Sequence, residues 1–103
     1  MIKIVLIIKE DCPACSIVKR VITQAINKID CEITLKIINS SNVNINSYKV
    51  KVFPTTIFYK NVGSDVNEGY LFKEIGRLEG SFPIDYLNRV IDKLNRVINK
   101  LKL

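Results

Sequence analysis

Two runs rich in isoleucine and valine, residues 2–8 (IKIVLII) and 33–38 (ITLKII), bracket a stretch with a different period. Short β-branched runs bounded by polar residues read as buried strands. Between them Val18, Val21, Ile22, Ala25 and Ile29 recur at three- and four-residue spacing, with Lys19, Arg20 and Lys28 on the other side. That is an amphipathic helix. It begins right after Cys12, because Pro13 suits the first helical position, where its missing N–H costs nothing, and it ends near Asp30. Strand, helix and strand in this order make a parallel βαβ unit, right-handed by the general rule. The chain is thereby confined to the α/β class.

The remainder extends this unit. Residues 39–47 (NSSNVNINS) form a polar connection with room for a short helix, Ile45 and Tyr48 facing inward. Residues 55–60 (TTIFYK) follow Pro54 as a third strand. Residues 70–77 (YLFKEIGR) make a fourth, antiparallel to the third by hairpin logic. The polar stretch Asn61 to Gly69 between them reads as a long turn. Pro83 opens a last helix, with Leu87, Val90, Ile91, Leu94, Val97, Ile98 and Leu101 in one apolar stripe and Arg89, Lys93, Arg96 and Lys100 on or beside the exposed face. The expected order is β-α-β-(α)-β-β-α, a four-stranded mixed sheet flanked by helices, in a single domain spanning residues 1–103.

Composition narrows the function classes. With 103 residues, 48% of them hydrophobic, the chain can fill one core without disulfide staples. The net charge of +6 would suit an anionic partner. The lysines are scattered, however, and aromatic residues are not interleaved with them as in a single-strand binding groove, so no nucleic-acid role is expected. The longest apolar run, Ile4 to Ile8, is five residues, against about 20 for a membrane span and about 7–15 for the apolar part of a secretion signal. The expectation is a cytoplasmic protein with no membrane contact. The cytosol keeps thiols reduced, so the three cysteines point to chemistry or packing rather than to a covalent framework.

Cys12-Pro13-Ala14-Cys15 is the informative motif. Residues i and i+3 of a helix hold their Cβ atoms about 5–6 Å apart, and a disulfide wants about 3.5–4.5 Å. A small adjustment in the first turn closes the bond, so the pair forms and breaks it with little movement. Cys12 lies where the orphan N–H groups and the macrodipole favour negative charge, which raises its thiolate fraction. Asp11 beside it acts in the opposite sense. Cys15, one turn in and leaning toward the core, is the less reactive thiol. Cys12 is thus the candidate nucleophile and Cys15 the resolving thiol. A zinc site would need four ligands. The chain offers only one further cysteine, Cys31, and no histidine, so no metal is expected. Cys31 itself reads as a structural thiol, and the last helix as sheet packing rather than a dimer seam.

Two segments together resemble the thioredoxin superfamily, in particular its small glutaredoxin-like thioredoxins: Asp11-Cys12-Pro13-Ala14-Cys15 after a buried strand, and Val50-Lys51-Val52-Phe53-Pro54-Thr55-Thr56 opening the third strand. The element order matches over nearly the whole chain, without the extra N-terminal strand and helix of full thioredoxins. The resemblance implies a cis proline at Pro54 packed against the active-site disulfide, a backbone at Phe53 that pairs with extended substrate, and Pro13 and Ala14 at the substrate surface. It also implies a buried carboxylate on the first strand, but Leu6 occupies that position. Lys36 looks like the lysine that accompanies the carboxylate, and Glu10 is the nearest acid, so these two stand as candidates for proton transfer or electrostatic support.

The reading that follows is a monomeric dithiol oxidoreductase that reduces or exchanges protein disulfides. It needs no bound cofactor and is recycled by a reductase or by glutathione. The alternative is a thioredoxin-fold binding or structural module without redox turnover.

Overall fold

A computed structural model describes residues 2–28, 32–41, 46–65 and 69–101, with the backbone alone described at 28, 64, 65, 69, 70, 94, 95 and 97–101. Cys31, Ile29 and Ile45 lie outside the described residues, as do the side chains of Tyr70, Leu94, Val97, Ile98 and Leu101. The elements are β1 (Ile2–Ile8), α1 (Pro13–Lys28), β2 (Ile33–Asn39), a single 3₁₀ turn (Asn46–Tyr48), β3 (Thr55–Asp65), β4 (Gly69–Glu79) and α2 (Ile84–Leu101).

The sheet order is β2-β1-β3-β4. β1 pairs in parallel with β2, from Ile2 against Ile33 to Ile8 against Asn39. It pairs antiparallel with β3, from Ile2 against Lys60 to Ile7 against Thr55. The central strand must therefore be apolar on both sides, which explains its IKIVLII run, apolar but for Lys3: Ile2, Ile4, Val5, Leu6 and Ile7 are all buried. The period of two then divides its side chains between two cores.

Ile2, Ile4 and Leu6 meet Phe58 of β3, Val18, Ile22 and Ala25 of α1, and Leu87 and Ile91 of α2. Both helices therefore lie on one face. Val5 and Ile7 meet Ile38 and Ile57 on the opposite face, where Tyr48, Val50 and Phe53 pack against them. No α-helix among the described residues covers that second face; the 3₁₀ turn and the chain that follows it do so.

The hairpin corrects one expectation. Residues 61–65 and Gly69 are strand rather than turn, because β3 continues to Asp65 and β4 begins at Gly69, still in register at Asp65 against Gly69. Backbone pairing needs no apolar side chains, so a polar, glycine-containing stretch can remain a strand once it has left the core. Its irregularity is absorbed in shifts of register between Phe58 and Tyr59 and between Asn61 and Gly63. At the second shift the N–H of Gly63 (φ 153°) donates to Oδ1 of Asn61 at 2.9 Å.

Candidate active site

The chain leaves β1 through Lys9, Glu10 and Asp11 and turns into α1. Asp11 takes the left-handed conformation, φ 53°, which a short polar side chain tolerates far better than a branched one. Cys12 is the N-cap of α1. The N–H of Ser16 donates to its carbonyl at 3.3 Å, and the N–H of Cys15 donates to its Sγ at 3.1 Å. A serine or aspartate oxygen at an N-cap ordinarily accepts this bond. A sulfur that accepts it is stabilised further when it carries negative charge.

Cys12 and Cys15 are joined by a disulfide, with their Cα atoms 5.2 Å apart. Cys15 is 3% exposed, whereas Cys12 is half-buried. Cys15 belongs to the inward stripe of α1 that continues through Val18, Ile22 and Ala25. Cys12 is therefore the more accessible member of the pair. Pro13 is exposed and Ala14 half-buried, so both border the accessible sulfur.

Pro54 comes to the same end of the sheet. It lies one step beyond the Ile7–Thr55 pair, at the C-terminal edge of β1 from which the Cys12 turn departs. Its peptide bond with Phe53 is cis, and Pro54 itself is buried. The approach is fixed locally: Thr55 Oγ1 donates to the Val52 carbonyl at 2.7 Å, and the Gly80 N–H donates to the Pro54 carbonyl at 2.8 Å. Gly80, at φ 82°, uses a conformation that L side chains rarely adopt. The Phe53 ring is half-buried against the second core and has the Lys9 ammonium over it, 5.6 Å from the centroid.

The structure does not bring Lys36 to the dithiol. Lys36 pairs with Val5 and so projects to the face opposite Leu6, where it is exposed. Glu10 is exposed; its carboxylate lies 3.4 Å from Ser41 Oγ, whose hydroxyl has a shorter acceptor in Asn39 Oδ1 at 2.8 Å.

Two residues that the sequence reading did not single out belong in this description. Thr56 pairs with Leu6 and Leu78. It is fully buried, and among the described residues its Oγ1 has no hydrogen-bond partner. Arg77, on β4, ties down the segment that leads to Phe53. The signal for Thr56 was present in the alternation of strand faces, since of two successive threonines only one can point away from the helices. Nothing in the sequence around Arg77 distinguishes it from a solvated cation.

Among the described residues no group of histidine, cysteine, aspartate and glutamate could hold a metal, and no helix is long and apolar enough to cross a membrane.

A four-stranded mixed sheet, a disulfide-bonded Cys-x-x-Cys at the N-terminus of α1 and a proline opening β3 at the same sheet end define the thioredoxin fold. Solved structures agree. A chloroplastic thioredoxin z superposes with a TM-score of 0.70 at 17% identity, over 93% of this chain and 80% of that one. Thioredoxin-2 of a malaria parasite gives 0.72 at 15%, over 90% and 82%. A thioredoxin of Plasmodium falciparum gives 0.69 at 18%, over 89% and 70%. No protein-family model and no curated protein matches the sequence, so the likeness is one of fold.

Proposed function

We propose that this protein is a thiol–disulfide oxidoreductase acting on protein disulfides. One observation carries the reading: the sulfur of the half-buried Cys12 accepts the Cys15 amide at a helix N-cap while bonded to a buried cysteine.

In the reduced protein the Cys12 thiolate attacks one sulfur of a substrate disulfide. A Cys12–substrate bond forms, and the other substrate sulfur leaves as a thiolate that takes up a proton. Cys15 then loses its proton and attacks Cys12 Sγ. The mixed disulfide breaks, the second substrate sulfur leaves, and the Cys12–Cys15 bond forms, so two electrons have passed to the substrate. A dithiol reductase or glutathione resets the pair. Phe53 and Pro54 present the substrate segment, with Pro13 and Ala14 on the opposite lip. The protein acts as a monomer in the cytoplasm and uses no bound cofactor.

The test is catalysed reduction of a protein disulfide, such as that of insulin, by dithiothreitol. Wild-type protein accelerates it, Cys12→Ser does not, and Cys15→Ser accumulates a mixed disulfide through Cys12. Full activity in Cys12→Ser would overturn the assignment. The second reading, a binding module without turnover, draws on Leu6. That residue is fully buried and supplies no acid to take the Cys15 proton. Absence of turnover in the wild-type protein would favour it.

A further inference from the structure

Among the described residues the guanidinium of Arg77 makes four hydrogen bonds, two to its neighbour Glu74 and two to the backbone of one distant segment. Its Nε and one terminal nitrogen fork onto the Glu74 carboxylate at 2.9 and 2.6 Å. The other terminal nitrogen donates to the carbonyls of Tyr48 and Lys49 at 3.1 and 3.4 Å. Those two carbonyls end the 3₁₀ turn, where a helical segment leaves its acceptors without internal partners. Lys49, at φ 55°, reverses the chain there as a left-handed C-terminal residue does. Five residues later the chain reaches Pro54.

The segment between is held at its near end by the Thr55–Val52 and Gly80–Pro54 bonds. In the middle, the half-buried Val50 and Phe53 side chains hold it against the second core. Arg77 holds the far end, 28 to 29 residues away in sequence. It can do so because its position opposite Ile57 places it on the sheet face that this segment covers. Glu74 fixes the plane of the guanidinium, leaving the remaining donors aimed at the backbone.

We infer that Arg77 is a positioning residue for substrate docking, clamping the residue 49–54 segment so that the Phe53 backbone is pre-aligned for an extended protein substrate. This rests on the functional reading above. It concerns binding of the polypeptide around the disulfide, not the exchange chemistry at Cys12.

The test compares two substrates. Insulin needs the Phe53 platform, whereas bis(2-hydroxyethyl) disulfide needs only the Cys12–Cys15 dithiol. Arg77→Met keeps the apolar stem and removes every donor. Its KM for insulin should rise about tenfold with kcat little changed, as expected when a docking surface is misplaced without touching the reacting atoms. Its rate with the small disulfide should match wild type. Arg77→Lys, with a point charge in place of the fork, should fall between the two. Amide exchange at residues 50–53 should quicken in Arg77→Met, while exchange in α1 stays at the wild-type rate. An unchanged KM for insulin in Arg77→Met, or an equal loss on both substrates, would overturn the inference and leave the redox reading standing. A wild-type protein inert on both substrates would overturn both.

Discussion

The two faces of the sheet are built differently. On the helix face, nine buried residues among those described, from β1, β3, α1 and α2, make one continuous core. On the other, four buried residues among those described are roofed by a loop, and a cavity of about 190 Å³ remains between Lys3, Val5, Tyr48, Tyr59 and Phe72. The first face is secured by apolar area. The second has too little of it and relies on directional bonds: the Arg77 fork, the Thr55 hydroxyl and the Gly80 amide. The candidate site lies where the two meet. Cys15 hangs from the helix-face stripe, and Pro54 from the loop that roofs the other face. The buried sulfur and the buried proline of the site are therefore held by different halves of the molecule.

This division can be broken by mutation. Ile22→Ala on the helix face should cost about 2–5 kcal/mol, the range for truncating a buried branched residue, measured by urea unfolding. Val50→Ala on the loop face should cost clearly less, because Val50 is only half-buried. Equal losses would erase the distinction. Thr55→Val deletes the bond to the Val52 carbonyl and should cost about 1 kcal/mol, with faster amide exchange confined to residues 50–53.

The loop face should also respond to acid. The hydrogen bond from Arg77 is the main reason that the Glu74 carboxyl sits below its usual 4.5. A carboxyl whose folded pKa is depressed adds stability above its unfolded value and loses it as pH falls through the folded one. The clamp should therefore release only below about pH 4.5, and the energy should be small, since both side chains are partly exposed. Lys49 reinforces the downward shift, whereas burial of Glu74 itself opposes it. Tyr59 on the same face is pushed above its usual value, first by burial and then by Glu74, so it stays neutral throughout this range. Glu74→Gln should flatten the acid limb of the stability curve; an unaltered limb would remove Glu74 from the clamp.

The smallest effect is expected at Thr56. An isosteric Thr56→Val removes a buried hydroxyl with no described partner, so stability should hold or rise. A clear loss would mean that the hydroxyl is satisfied through a buried water.

Much of this architecture was legible in the sequence, because it rests on periodicity. The β1 run, the inward stripe of α1 and the Pro13 start identify a strand and helix on patterns of two and 3.6 residues. The same logic placed Cys12 at the helix start and Cys15 on the buried side. The strands of the hairpin are not legible beyond Lys60, because polarity and glycine mark a turn only when the backbone lacks a partner, and at residues 61–65 β4 supplies one. Lys36 was assigned by likeness to a carboxylate's companion. Its register against Val5 instead of Leu6 sends it to the other face, and a one-residue offset of that kind cannot be read without the pairing. Arg77 was invisible for a related reason. Its acceptors lie 28 and 29 residues away, and nothing local announces a contact made across a sheet.

The most direct test of the central claim is an equilibrium titration of the Cys12–Cys15 pair, by thiol trapping across graded glutathione and dithiothreitol buffers with mass-spectrometric assignment of the trapped cysteines. A single two-electron transition is expected, in which Cys12 and Cys15 convert together, with a midpoint in the span of roughly −270 to −120 mV occupied by dithiol oxidoreductases. Cysteines that remain separately alkylated in every buffer, with no linked pair, would contradict that claim.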